Sequence, residues 1–168
     1  MEDDSRRLSG GQFLWATLAA VLFVALASVL VVPWFGWPTV SDSDGAFALA
    51  SLIAAALVGW LSWVGVERYC RGRPILGGAA AGLFTGVFAH PVAWFLWPLL
   101  HLTERTGGAA FLMPLASVWS LLFVGWITVP LAIVAGVATG VIRVAVNRLS
   151  ARRDSGRDGS DEPSVNSP

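Results

Sequence analysis

Ile75–His101 reads ILGGAAAGLFTGVFAHPVAWFLWPLLH, with no Asp, Glu, Lys or Arg in it. A hydrocarbon core about 30 Å thick needs ~20 apolar residues of helix to cross it, and this stretch is long enough. Three more stretches share the property: Gln12–Phe35, Ala46–Val66 and Phe111–Ile142. His90 is the one titratable side chain well inside any of the four. The pattern predicts an all-α integral membrane bundle of four transmembrane helices.

Composition agrees. Of 168 residues 55% are hydrophobic and only 13% charged, and the charges fall in ends and loops. The mean hydropathy is +0.67. A formal net charge of zero implies no nucleic-acid partner; the bilayer is the partner the composition demands. All eleven basic residues are arginine, which points to a GC-rich prokaryotic genome. The single cysteine, Cys70, cannot close an intramolecular disulfide, and no Cys/His set has zinc-ligand spacing.

The arginines sort by loop. Arg6 and Arg7 precede the first helix, and none follows it before the second. Arg68, Arg71 and Arg73 lie between the second and third, and Arg105 alone between the third and fourth. Arg143, Arg148, Arg152, Arg153 and Arg157 come after the fourth. The positive-inside rule places the rich loops in the cytoplasm, so both termini are expected inside a plasma membrane. Trp34, Trp37, Trp94 and Trp97 then fall near the outer surface, and Trp15, Trp60 and Trp63 near the inner one. Trp126 is left near mid-membrane, where its N–H needs a partner from another helix or subunit. Ala25-Leu26-Ala27 looks like a signal-peptidase site, but the apolar run continues past it to Val32, so an uncleaved helix is expected.

These boundaries divide the chain into a cytoplasmic segment 1–11, a four-helix transmembrane domain 12–146 and a disordered cytoplasmic tail 147–168. The end of that tail, Asp154–Pro168, is rich in Ser, Gly, Asp and Pro and is expected to be disordered. The fourth stretch would reach ~48 Å at 1.5 Å per residue, so a long helix kinked at Pro130 is expected, with Pro114 in its first turn. Ser43 or Asp44 is the expected N-cap of the second helix. Glu67 and Arg71 are spaced as a surface pair.

Gly78, Gly82, Gly86 and His90 recur every four residues and so share one stripe of the third helix. Lipid offers helices no hydrophobic reason to associate, so small residues that admit close backbone approach mark contacts. Ala132, Gly136 and Gly140 repeat the device on the fourth helix, and Ser51, Ala55 and Gly59 on the second.

His90 closes the stripe, and Pro91 follows it. A proline there leaves the Val87 carbonyl without its intrahelical bond and is expected to break the helix. His90, Thr85 and that carbonyl would then line a polar intramembrane site. The competing reading is structural, with His90 bonded to a neighbouring carbonyl or to Ser117, Ser120 or Thr128. His101 is expected at the outer interface beside Glu104 and Arg105.

No nucleophile elbow, embedded carboxylate pair or phosphate loop is present, and Gly107-Gly108 is an ordinary turn. The leading expectation is therefore a small accessory, assembly or scaffold subunit without a catalytic site or cofactor, packing through glycine faces against itself or a membrane partner. An oligomeric transporter or channel protomer using His90 is the alternative. A b-type haem subunit is a lesser one, because two axial ligands are needed and both histidines lie near one helix.

Overall fold

The computed structural model describes residues 10–39, 41–70, 72–100 and 109–158. They form five helices: α1 (Gly10–Phe35), α2 (Ser43–Tyr69), α3 (Pro74–Leu100), α4 (Ala109–Phe123) and α5 (Gly125–Asp158). Four of them, α1, α2, α3 and α5, are long and apolar enough to cross a membrane. Glu67 and Arg71, whose pairing was expected, cannot be placed, since Arg71 lies outside the described residues and the Glu67 side chain is not described. His101, Glu104, Arg105, Gly107 and Gly108 also lie outside them, as do residues 1–9 and 159–168.

α3 is the axis of the bundle, packed between α2 and α5. α1 packs on α2 and more lightly on α5, and α4 packs mainly on α3. The α2–α3 connection is tight. Cys70 N–H bonds the Val66 carbonyl, Arg73 N–H the Cys70 carbonyl and Gly77 N–H the Arg73 carbonyl. Gly72 turns this corner at φ +87, a conformation only glycine adopts without strain.

The aromatic and small residues of the core gather at this end. Trp15, Ala19 and Phe23 of α1 meet Trp63 of α2, Ala81 of α3 and Ala132 of α5. At the opposite end the core is aromatic. Phe47 lies 4.8 Å from Trp94 and 4.9 Å from Phe35, ring centre to ring centre, and Trp97 Nε1 donates to the Ser43 carbonyl at 3.1 Å.

Five expectations need correcting. α3 is not broken at Pro91: the helix runs through both Pro91 and Pro98 to Leu100. A proline removes one N–H, and an apolar helix with packed neighbours tolerates that loss. The fourth stretch is not one helix kinked at Pro130. It is interrupted at Val124, and Pro130 lies inside α5. Ile127 N–H turns to the Val124 carbonyl, three residues back, and Thr128 N–H bonds the same oxygen.

Pro114 sits past the first turn of α4, which begins at Ala109. The N-cap of α2 is Asp42, not Ser43 or Asp44. Asp42 is extended (φ −138, ψ 163), and its carboxylate accepts from Gly45 N–H at 2.6 Å. The segment from residue 147 stays helical as far as Asp158. A helix already nucleated upstream propagates cheaply through good formers such as Arg148, Leu149 and Ala151.

Candidate functional site

The glycine stripe of α3 lies on α5, and the seam is antiparallel. A Cβ at Gly78 would fall on the Gly136 carbonyl, and one at Gly82 on the Ala132 carbonyl. At Gly86 it would come within 2.8 Å of Val129 Cα, and one at Gly140 within 2.9 Å of Ile75 Cα. The nearest obstacle at each of these positions is backbone, so these side chains are absent because the two helices touch backbone to backbone. Four residues up α3 match four residues down α5 along the whole seam. At that register His90 lies opposite Val124, the residue at which α4 gives way to α5.

His90 reaches both helices there. Its Nδ1 is 2.8 Å from Ser120 Oγ on α4, and its Nε2 is 2.9 Å from Thr128 Oγ1 on α5. Ser120 and Thr128 stand one turn to either side of Val124. Most hydroxyls in these helices behave differently. Those of Ser28, Ser51, Ser117 and Thr139 each bond the carbonyl four residues back in their own helix.

Each neutral tautomer of the ring satisfies both contacts: one ring nitrogen donates to its hydroxyl and the other accepts from the hydroxyl opposite. Thr128 Oγ1 also lies 3.3 Å from the Val124 carbonyl. The carbonyl of Phe123, which Ile127 N–H would take in an unbroken helix, instead accepts Trp126 Nε1 at 2.7 Å. The partner expected from another helix or subunit thus lies within the interruption itself, and Trp126 remains 71% exposed.

Thr85 does not join His90. It is 3% exposed, and its hydroxyl returns to the Ala81 carbonyl at 2.7 Å. The arrangement is a clasp holding two helix ends, and both ring nitrogens are engaged. A haem iron or a transported cation would have to displace Ser120 or Thr128 to reach the imidazole. Among the described residues, no group of three or more His, Cys, Asp or Glu side chains is placed to hold a metal ion.

A second polar feature, not singled out from the sequence, lies at the α2–α3 end. Arg143 of α5 follows the last apolar residue of its stretch, and its guanidinium stands 6.0 Å from the centre of the Trp15 ring. With Trp63, Val66, Cys70, Pro74 and Gly77 it lines a small, open recess of about 20 Å³ at the surface. The signal was present in the spacing: Gly136, Gly140 and Arg143 share one helix face. Comparison of the chain with protein-family models, with curated proteins and with solved structures finds no match.

Proposed function

We propose that this chain is a multi-pass plasma-membrane protein acting as a small accessory, assembly or scaffold subunit, with both termini in the cytoplasm. The observation that carries the reading is where its distinctive residues are spent. The glycine stripe of α3 is occupied by α5, and both nitrogens of His90 are occupied by Ser120 and Thr128. One surface left for a partner is the outer face of α4, where Leu112, Leu115, Val118, Trp119 and Leu122 are exposed. Trp119 stacks on Phe123 at 5.3 Å, giving this face a rigid aromatic patch. In a bilayer such a face meets either lipid or another helix.

The test is a photo-crosslinking amino acid in place of Leu115 in the native membrane. Adducts to one defined membrane protein, or to a second copy, support the subunit reading. Adducts to lipid alone, together with a monomer by native mass spectrometry, would remove its basis.

One observation favours a second reading, that of a transporter or channel protomer. Transport sites gather at interrupted helices, and His90 lies beside the α4–α5 interruption. Ion or solute flux in liposomes that disappears with His90→Gln would replace the first reading with this one.

A further inference from the structure

α5 outlasts the bundle. Gly140 stands against Pro74, the first residue of α3, and α5 continues to Asp158, ~27 Å farther. Every residue from Ala145 to Ala151 on this stem is exposed. Ile142, Val146 and Leu149, spaced at i, i+4 and i+7, give it one apolar stripe, and all three are exposed. Between Gly140 and Asp154 the chain carries Arg143, Arg148, Arg152 and Arg153 and no acidic residue. The α2–α3 turn at the same end adds Arg68, Arg71 and Arg73 against Glu67, and Arg73 is exposed.

Distances along the axis decide what the stem meets. Hydrocarbon excludes charge, so Arg143, the first charged residue of α5, marks where it ends. On a helix along the membrane normal, Val146 lies ~4.5 Å beyond that level, Arg148 ~7.5 Å and Leu149 ~9 Å. Positions 152 and 153 lie ~13.5 and ~15 Å beyond it, and any tilt brings each of these nearer. A headgroup layer is ~5–7 Å thick, and the field of a charged surface reaches about one Debye length, ~8 Å, farther. Val146, Arg148 and Leu149 therefore stand in that layer or at its edge, and positions 152 and 153 stand within reach of its charge. Arg157, ~21 Å out, lies beyond it, between Asp154 and Asp158 in the sequence.

An apolar stripe on a basic stem at this level has two candidate occupants, a second copy or the leaflet. A second copy would set Arg148 and the Arg152-Arg153 pair against the same residues of its partner, with no carboxylate between Gly140 and Asp154 to pair with them. Like charges so placed repel. An acidic headgroup layer complements the arginines and takes up Val146 and Leu149 in its interfacial region.

We infer that the stem of α5 from Val146 to Arg153 is a binding element for the anionic leaflet around it, held by Arg148 and the Arg152-Arg153 pair. The inference rests on the membrane reading of the helices but not on the choice between subunit and transporter. It also does not depend on which side of the membrane this end faces.

Hydrogen–deuterium exchange of the full-length protein, one chain per nanodisc, reads the stem directly. Amides between Ala145 and Arg153 are followed in discs of phosphatidylcholine alone and in discs that also hold phosphatidylglycerol. One arginine near an acidic surface is worth about a fivefold change in equilibrium, so exchange should slow at least about fivefold with the acidic lipid. The protection should be lost at about 1 M salt, where the Debye length falls to about 3 Å. It should also be lost in the triple variant Arg148→Gln, Arg152→Gln, Arg153→Gln and kept in Arg157→Gln. The wild-type comparison needs no variant to fold.

Equal exchange in the two lipids would overturn the proposal. So would protection that survives the triple variant, or that disappears as fully in Arg157→Gln. A further arm adds soluble polyglutamate, matched in charge to the acidic lipid, to phosphatidylcholine discs. Protection there equal to that of phosphatidylglycerol would overturn the leaflet in favour of an acidic protein partner. Its absence supports the leaflet.

Discussion

His90 shows how one side chain can substitute for helix continuity. Just past Val124 the ladder tightens, with Ile127 N–H on the carbonyl three residues back, and the ring spans this place by holding Ser120 and Thr128 from α3. Removing it does not strand the hydroxyls, since both can fall back on carbonyls of their own helices. The expected cost of His90→Ala is therefore modest. Hydrogen bonds between membrane helices average ~0.6 kcal/mol each, so two such bonds with some lost packing amount to about 1–2 kcal/mol. SDS-titrated unfolding of wild type and variant in mixed micelles measures this, and a loss well above that range would mean the ring holds something more than two hydroxyls. The glycines allow a sharper contrast. At Gly82 an added methyl would strike the Ala132 backbone, which cannot rotate away, whereas at Gly65 nothing lies within 4 Å. Gly82→Ala should cost about 1–3 kcal/mol or more through overpacking, while Gly65→Ala should be neutral or slightly stabilising. The same titration reads both, and equal effects would show that the α3–α5 approach is looser than described.

At the scale of elements, the four apolar stretches could be read from the sequence because hydrocarbon thickness sets one length for every crossing. α1 begins at Gly10 against an expected Gln12, and α3 ends at Leu100 against His101. The interruption at Val124 could not be read. Pro91, Pro98, Pro114 and Pro130 advertise breaks, yet each lies within a helix. The real break has only Gly125 beside it as a local sign. What settles it is tertiary: a histidine on another helix, in register with a hydroxyl on each side. Thr85 was grouped with His90 by proximity in the chain, but five residues along a helix turn it to a different face, and its own helix satisfies it. The Asp42 cap was missed by one residue, because the capping side chain lies outside the helix it serves. Its consequence is a pH dependence. The Gly45 N–H bond, then the Thr39 hydroxyl, hold the Asp42 carboxyl below its ordinary value. A carboxyl lowered in the folded state contributes stability that is full above its unfolded pKa of about 3.9 and is lost as pH falls through the folded value. Wild type should therefore melt above Asp42→Ala near neutral pH, with the gap closing as pH drops below the usual carboxylate range. A gap that persists at the lowest pH would mean the cap acts through the Thr39 and Ser41 hydroxyls rather than through charge.

For the whole molecule, the question is how five helices make their crossings. α4 alone spans ~22 Å at 1.5 Å per residue, too short for a core of about 30 Å. α5 is long enough, but the α3 register shows which part lies in the bundle. Gly140 already stands beside Pro74, the first residue of α3, so the rest of α5 runs past the end of its neighbour. The portion of α5 alongside α3, from Gly125 to Gly140, covers ~24 Å. We propose that α4 supplies the remainder, so that α4 and α5 together make one crossing interrupted at Val124. Under the proposed orientation this leaves an even number of crossings and puts the α2–α3 turn on the cytoplasmic side with both termini. Had α4 and α5 crossed separately, the arginine-rich end of α5 would lie outside, against the positive-inside bias. A membrane-impermeant maleimide on intact cells tests the arrangement. Ser41→Cys, between α1 and α2, should label from outside, and Ser41 is chosen because Asp42 must stay as the cap. Native Cys70 should label only after the membrane is opened. Ser150→Cys, on the α5 extension past Gly140, should behave like Cys70. If it labels in intact cells while Cys70 does not, α4 and α5 each cross the membrane and the single interrupted crossing is wrong. If Cys70 itself labels in intact cells, the whole orientation is reversed while the bundle and its clasp stay as described.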